Sequence, residues 1–112
     1  VAVVNKTDGR IYEAELYRLK GELTLQSKIP DLKSKIEAEA EACFLKACAI
    51  ARRQQAKSWE LRAAISLSRL WQRQGKRHEA RDLLAPIYTW FTEGFDTRDL
   101  KEAKALLDEL VA

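Results

Sequence analysis

One spacing recurs along this chain: apolar residues three or four positions apart, interrupted at intervals by glycine, proline or short polar stretches. Tyr12, Leu16, Leu19 and Leu23 follow it, as do Ala40, Phe44, Ala47 and Ala51 with Ile50 beside them. It returns in Leu61, Ala64, Leu67 and Trp71 with Ile65 and Leu70, then in Ala80, Leu83, Leu84, Ile87 and Phe91. Leu100, Ala103, Leu107 and Leu110 form the last set. Such spacing lines one side of an α-helix; a strand would need alternation every second residue. Each stripe covers only part of its helix, so the helices must bury one another.

The boundaries follow from the breakers between stripes. Composition agrees with helix: Ala and Leu supply 31 of the 112 residues, Val, Ile and Thr only 15, with four Gly and two Pro. Val1–Asn5 reads as the end of an element, followed by a turn cluster at Thr7-Asp8-Gly9. A helix is predicted from Ile11 to Leu25, broken by Ser27, Lys28 and Pro30. The next begins at Asp31 or near Glu37 and runs to Gln54, with Arg52 and Arg53 suited to its C-terminal dipole. Ser58 is the N-cap candidate of the third, which Gly75 stops. The fourth runs from His78 to Thr92, with Pro86 inside to kink it or remove a backbone bond. Gly94 would end it, Phe95 folding back, and Asp96 or Thr97 would cap a final helix from Arg98 to Leu110.

Several classes of function are disfavoured. A net charge of +3 is small and scattered for a groove-reading nucleic-acid protein. No apolar run approaches the roughly 20 residues of a membrane span, and Val1–Val4 is too brief for a secretory core. The absence of an initiating Met suggests a piece of a longer chain. Cys43 and Cys48, five apart on a helix, lie beyond disulfide reach and do not have metal-ligand spacing, so small thiols in a reducing cytosol are expected, and with them a cytoplasmic location. His78 is a lone turn histidine beside Lys76, Arg77 and Glu79. Glu37, Glu39 and Glu41 are expected to spread around their helix and favour its N-terminus rather than work as an acid–base pair. The four glycines are isolated, so no phosphate-cradling loop is present. No catalytic residue, metal or cofactor is expected.

The chain also resembles itself. A shift of 47 residues lays Tyr12-Glu13 on Trp59-Glu60, Leu23 on Leu70 and Ala2-Val3-Val4 on Ala49-Ile50-Ala51. A shift of 40 lays Ala40 on Ala80 and Phe44 on Leu84, the difference of seven falling in the irregular Lys28–Lys35 segment. Units of about 40 residues, helix–turn–helix–turn, must stack to cover their stripes. The second unit, Ala64-x-x-Leu67-Ser68-x-x-Trp71, then Gln74-Gly75, then Ala80-x-x-x-Leu84, resembles the tetratricopeptide repeat, although Pro86 comes early. Small residues at Ser68 and Ala80 would let the paired helices approach closely. Tyr17, Gly21, Ala40, Phe44 and Ala47 fit in the first unit, whereas Lys20 and Thr24 depart from the pattern.

Whole phrases extend the likeness. Tyr12 to Leu23, Ala40-Glu41-Ala42-Cys43-Phe44, Leu67 to Leu84, and Trp90-Phe91-Thr92-Glu93-Gly94-Phe95-Asp96-Thr97 are similar to the C-terminal helical-repeat region of large bacterial signalling proteins. In that family a cyclase or DNA-binding domain is followed by a nucleotide-binding ATPase module and then by tetratricopeptide-like repeats. The resemblance implies a terminal repeat segment, with cyclase and ATPase chemistry upstream of it.

The expected fold is therefore all-α: an α-α superhelix, a tetratricopeptide-like right-handed solenoid of antiparallel helix pairs in one domain, 1–112. Residues 1–10 would end a truncated preceding repeat, 11–57 and 58–95 would be the two repeats, and 96–112 a capping helix. The expected function is a non-enzymatic protein-interaction and regulatory scaffold that binds a protein, a peptide or other domains of its own chain. Its concave face would carry Glu15, Arg18, Glu22 and Gln26 from one unit and Arg62, Ile65, Arg69, Gln72 and Arg73 from the next. Arg62, Arg69 and Arg73 form a basic stripe fit to receive carboxylates in bidentate pairs. Tetratricopeptide modules that grip C-terminal carboxylates use Lys and Asn where this chain has Arg18 and Glu22, so that mode is not expected. The alternative is a nucleic-acid binder working through the same arginines. Of Tyr88, Trp90, Phe91 and Phe95, part should pack on the last helix and the rest form an exposed patch for a partner. Self-association through an exposed amino-terminal solenoid end is a further expectation, and membrane contact is not.

Overall fold

The computed structural model describes residues 6–27, 32–94 and 97–111, and the apolar stripes within them become five helices: α1 (Lys6–Leu25), α2 (Lys33–Arg53), α3 (Lys57–Arg73), α4 (Arg77–Trp90) and α5 (Arg98–Val111). No strand occurs among the described residues. The expected end of a truncated element at Val1–Asn5 lies outside them, as do residues 28–31 of the irregular segment and Phe95 and Asp96.

Neighbouring helices run antiparallel, as the register of their contacts shows. Lys46 Nζ of α2 sits 4.5 Å from the centroid of the Tyr17 ring of α1, and Ala14 shares a buried cluster with Ile50 and Ala51. Between α2 and α3, Glu37 accepts from Gln74, Glu41 from Trp71, and Glu60 from Arg52. Helices α1, α3 and α5 instead lie side by side in the same direction: Glu15 meets Arg62, and Arg62, Arg69 and Gln72 meet Asp99, Glu102 and Glu109 in turn. The molecule measures 43 × 32 × 21 Å, its shortest dimension about two helix diameters.

The turns explain the reversals. At the end of α3, Lys76 N–H donates to Trp71 O at 2.8 Å and Gly75 N–H to Gln72 O at 3.1 Å, a Schellman closure with Gly75 at φ +81°. The α2 end repeats it: Ala56 N–H to Ala51 O at 2.9 Å, Gln55 N–H to Arg52 O at 3.1 Å, with Gln55 at φ +56°. Because Ala56 passes directly into α3, its carbonyl accepting from Trp59 and Glu60, Ser58 lies inside the helix and is not its cap.

Other boundaries differ from expectation. α1 runs through Thr7-Asp8-Gly9, so that cluster forms no turn. α2 starts between the two expected points, at Lys33, which puts Glu37 past its first turn. Glu37 and Glu41, four apart, share a face and bond Gln74 and Trp71 at the end of α3, so these two do not serve the α2 N-terminus, while Glu39 lies on the exposed side. α4 continues through Pro86, whose ring supplies no N–H to the carbonyl of Asp82. It ends at Trp90 because Phe91 is extended (ψ 138°); Gly94, though at φ +77°, lies in the following connection, where its carbonyl accepts from Thr97 N–H at 2.9 Å.

The core matches the stripes of α2, α3 and α4: Ala40, Phe44, Ala47, Ala51, Leu61, Ala64, Leu67, Leu70, Ala80 and Leu84 are at most 1% exposed. Close approach occurs where the repeat comparison places it. Ser68 Oγ donates to Ala80 O at 3.3 Å, both residues fully buried. At the counterpart of Ser68, a Cβ on Gly21 would stand 2.5 Å from Phe44 Cε1. In α5 the buried set is Leu100, Ala103, Leu106 and Leu110, Leu106 taking the place expected for Leu107. α1 is the exception. Its packed face carries Ala14, Tyr17 and Gly21, while Leu16, Leu19 and Leu23 are 49%, 41% and 65% exposed.

Candidate functional site: the groove between α1, α3 and α5

Three parallel helices packed side by side leave a furrow along their common face. α1 contributes Arg18 and Glu22, α3 Arg62, Ile65, Ser66 and Arg69, and α5 Arg98, Asp99 and Glu102 to a cavity of about 330 Å³. A second depression of about 350 Å³ adjoins it, sharing Glu22, Ser66 and Arg69 and adding Leu25, Gln26, Gln72 and Arg73. The groove thus brings together eight of the nine residues expected on the concave face, Arg18, Glu22, Gln26, Arg62, Ile65, Arg69, Gln72 and Arg73, and the ninth, Glu15, bonds Arg18 and Arg62 beside it. Helical geometry accounts for this, since Arg62, Arg69 and Arg73 recur at seven and four along α3.

The basic residues are woven into an ionic network. Arg18 holds Glu15 in a two-pronged pair, Nε and Nη2 each 2.8 Å from a carboxylate oxygen, and Nη1 reaches Ser66 Oγ at 3.4 Å. Arg62 Nη1 reaches Glu15 at 3.3 Å, and its Nε and Nη2 donate to Asp99 Oδ2 at 3.2 and 3.0 Å. Arg69 donates twice to Glu102, at 3.2 and 3.0 Å. Further along, Gln72 donates to Glu109 at 3.0 Å. Burial disfavours charge on Glu15, but Arg18 and then Arg62 outweigh it and hold its carboxyl below the ordinary 4.5. The bond from Glu15 in turn raises Arg18 against its own desolvation.

Arg73 and Arg98 have no ion pair among the described residues and stand exposed at the groove. Of the wall residues, Leu25, Ser66, Arg98, Asp99 and Glu102 were not anticipated. The one signal for the acids was that Asp99, Glu102 and Glu109 share a face of α5; their spacings, three then seven, do not match the seven then three of Arg62, Arg69 and Gln72, so their partners are set only by packing. Arg98 could not be found this way, because it is the first residue of α5 and that end was expected only as a cap.

Elsewhere the side chains are structural. Glu60, 4% exposed at its side chain, bonds Arg52 at 3.1 Å and Lys57 at 3.3 Å, so Arg52 clamps the α2–α3 turn as well as closing α2. His78 is exposed, 3.2 Å from Asp82. Both cysteines are free thiols; Cys43 is half-buried, and burial pushes Cys48 up to about 12. Tyr88 and Phe91 pack against the core, whereas Trp90 is 58% exposed, with Lys57 Nζ 5.7 Å from its ring centroid. Among the described residues no group of three or more His, Cys, Asp or Glu could hold a metal ion, and no helix is long and apolar enough to cross a membrane. No known protein family, curated protein or solved structure matches the chain.

Proposed function

We propose that the chain is a non-enzymatic interaction scaffold, its helices the rungs of a tetratricopeptide-like right-handed superhelix and the α1–α3–α5 groove the seat of an acidic peptide or an acidic segment of another domain. The observation that carries this reading is the groove itself, with Arg98 and Arg73 exposed beside the paired Arg18, Arg62 and Arg69. Guanidinium groups donate to carboxylates in a fixed bidentate geometry, and neighbouring glutamates reject segments whose charges fall out of register. Parallel α1, α3 and α5, antiparallel neighbours and close approach at Gly21 and at Ser68–Ala80 support the repeat architecture. The similarity of its phrases to bacterial cyclase–ATPase proteins supports a regulatory role at the C-terminal end of such a chain, in the cytoplasm.

The rival, nucleic-acid binding through Arg62, Arg69 and Arg73, has less support because Arg62 and Arg69 already face carboxylates. Fluorescence anisotropy with labelled Asp/Glu-rich peptides separates the two. Peptide binding should weaken at least about tenfold in the double variant Arg73→Glu/Arg98→Glu, a change at exposed positions that leaves helix content intact. Binding of duplex DNA that weakens steeply with added salt, with no peptide binding, would favour the rival. Turnover of ATP by the purified chain would reject the non-enzymatic part.

A further inference from the structure

Leu16, Leu19 and Leu23 lie about 140–160° around α1 from Gly21, and so point away from the contact with α2. Their spacing of three and four is that of the a and d positions of a two-helix seam. The repeat relationship shows what such a face is built for. A shift of 47 carries Leu16, Leu19 and Leu23 onto Ala63, Ser66 and Leu70 of α3, which are 2%, 7% and 0% exposed because neighbouring helices cover them. In α1 the same face is uncovered and bears larger apolar side chains. A cavity of about 310 Å³ opens on its flank, lined by Glu13, Leu16, Tyr17 and Lys20.

We propose that a second copy of this chain covers this face, two α1 helices packing antiparallel about a two-fold axis. Two observations select that occupant. Glu13 and Lys20, seven apart, share one flank of the stripe, so in an antiparallel pair each Glu13 lies opposite the partner's Lys20. On the other flank Glu15 and Glu22 turn into the groove; Glu15 is held there by Arg18 and Arg62, and Glu22 lies beside Arg18. The opposite end of the molecule offers no complement for a head-to-tail array, because α5 turns Lys101, Lys104 and Asp108 outward, two of them paired with each other. Among the described residues the α4–α5 end exposes Trp90 and Val111 as its large apolar side chains but no leucine stripe to match that of α1, so the α1 faces pair with each other and the assembly closes as an isologous dimer.

Sedimentation velocity from micromolar to millimolar concentration tests this. The chain is expected to shift from monomer to dimer and to stop there. Leu19→Asp should weaken association at least about tenfold without loss of helix content, since Leu19 is 41% exposed and is not one of the buried core residues. Glu13→Lys or Lys20→Glu alone should weaken it, and the double exchange should restore it, because the opposed charges are then merely swapped. A chain monomeric throughout, a series that grows beyond the dimer, or no rescue by the double exchange would overturn the proposal. So would a monomer that binds phosphatidylcholine vesicles through these leucines. Peptide binding in the groove should be unchanged in Leu19→Asp, so failure of either proposal leaves the other standing.

Discussion

Two equivalent turns present a glycine and a glutamine with the same demand. Gly75 and Gln55 both occupy left-handed backbone, where a Cβ crowds the following carbonyl. Gln55→Gly should therefore raise stability by about 0.5–1 kcal/mol, and Gly75→Ala should lower it by about 1 kcal/mol even though nothing lies within 4 Å of the added carbon. Urea midpoints of the two variants should move in opposite directions. Gly21 poses a different demand, because it is a matter of space. An alanine there gains about 1 kcal/mol of helix propensity but drives its methyl into Phe44, whose ring is fully buried and cannot swing away. Overpacking costs about 1–3 kcal/mol, so Gly21→Ala should be destabilising on balance, with Phe44→Leu partly rescuing it in a double-mutant cycle.

Helix by helix, what periodicity could show depended on side-chain size. The stripes of Ala40 to Ala51 in α2, Leu61 to Leu70 in α3 and Ala80 to Ile87 in α4 were legible as written because their large apolar residues are buried, although central α3 is covered on most of its sides. α1 defeats the same reasoning. Its packed face is made of Ala14, Tyr17 and Gly21, small or half-polar residues that carry little weight against three leucines, and contacts with α2 explain why they are inside: Gly21 meets Phe44, and Ala14 and Tyr17 pack with Ile50 and Ala51. In α5 two adjacent leucines compete for one site, and the choice rests on how the helix rolls against α3 and α4. Leu106 is fully buried and Leu107 only half-buried. Leu106→Ala should accordingly cost about 2–5 kcal/mol, and Leu107→Ala markedly less, in thermal or urea unfolding. The groove residues were legible in α1 and α3 from their position on the first helix of each unit. The carboxylates opposite them were not, since pairing between α3 and α5 is a fact of tertiary register.

At the scale of the whole molecule, one carboxylate links three helices to pH. Glu15 of α1 holds Arg18 on its own helix and Arg62 of α3, which in turn holds Asp99 of α5. Its carboxyl ionises more readily folded than unfolded. The unfolded chain therefore takes up the proton first, so this stabilisation is complete above the ordinary carboxylate value of 4.5 and is lost as the pH falls below it. Urea midpoints should decline on acidification through that range, and Glu15→Gln, less stable at neutral pH, should show a shallower decline. The chain's three tryptophans extend this view of the molecule. Trp59 packs beside Ala14, Ile50 and Ala51 where α1, α2 and α3 converge; Trp71 donates to Glu41 at 2.6 Å between α2 and α3; Trp90 stands exposed at the end of α4. Trp59 and Trp71 thus watch two parts of the α1–α2–α3 packing and Trp90 the end of α4, and emission from single-tryptophan versions would tell whether the helices come apart one after another or all in a single event.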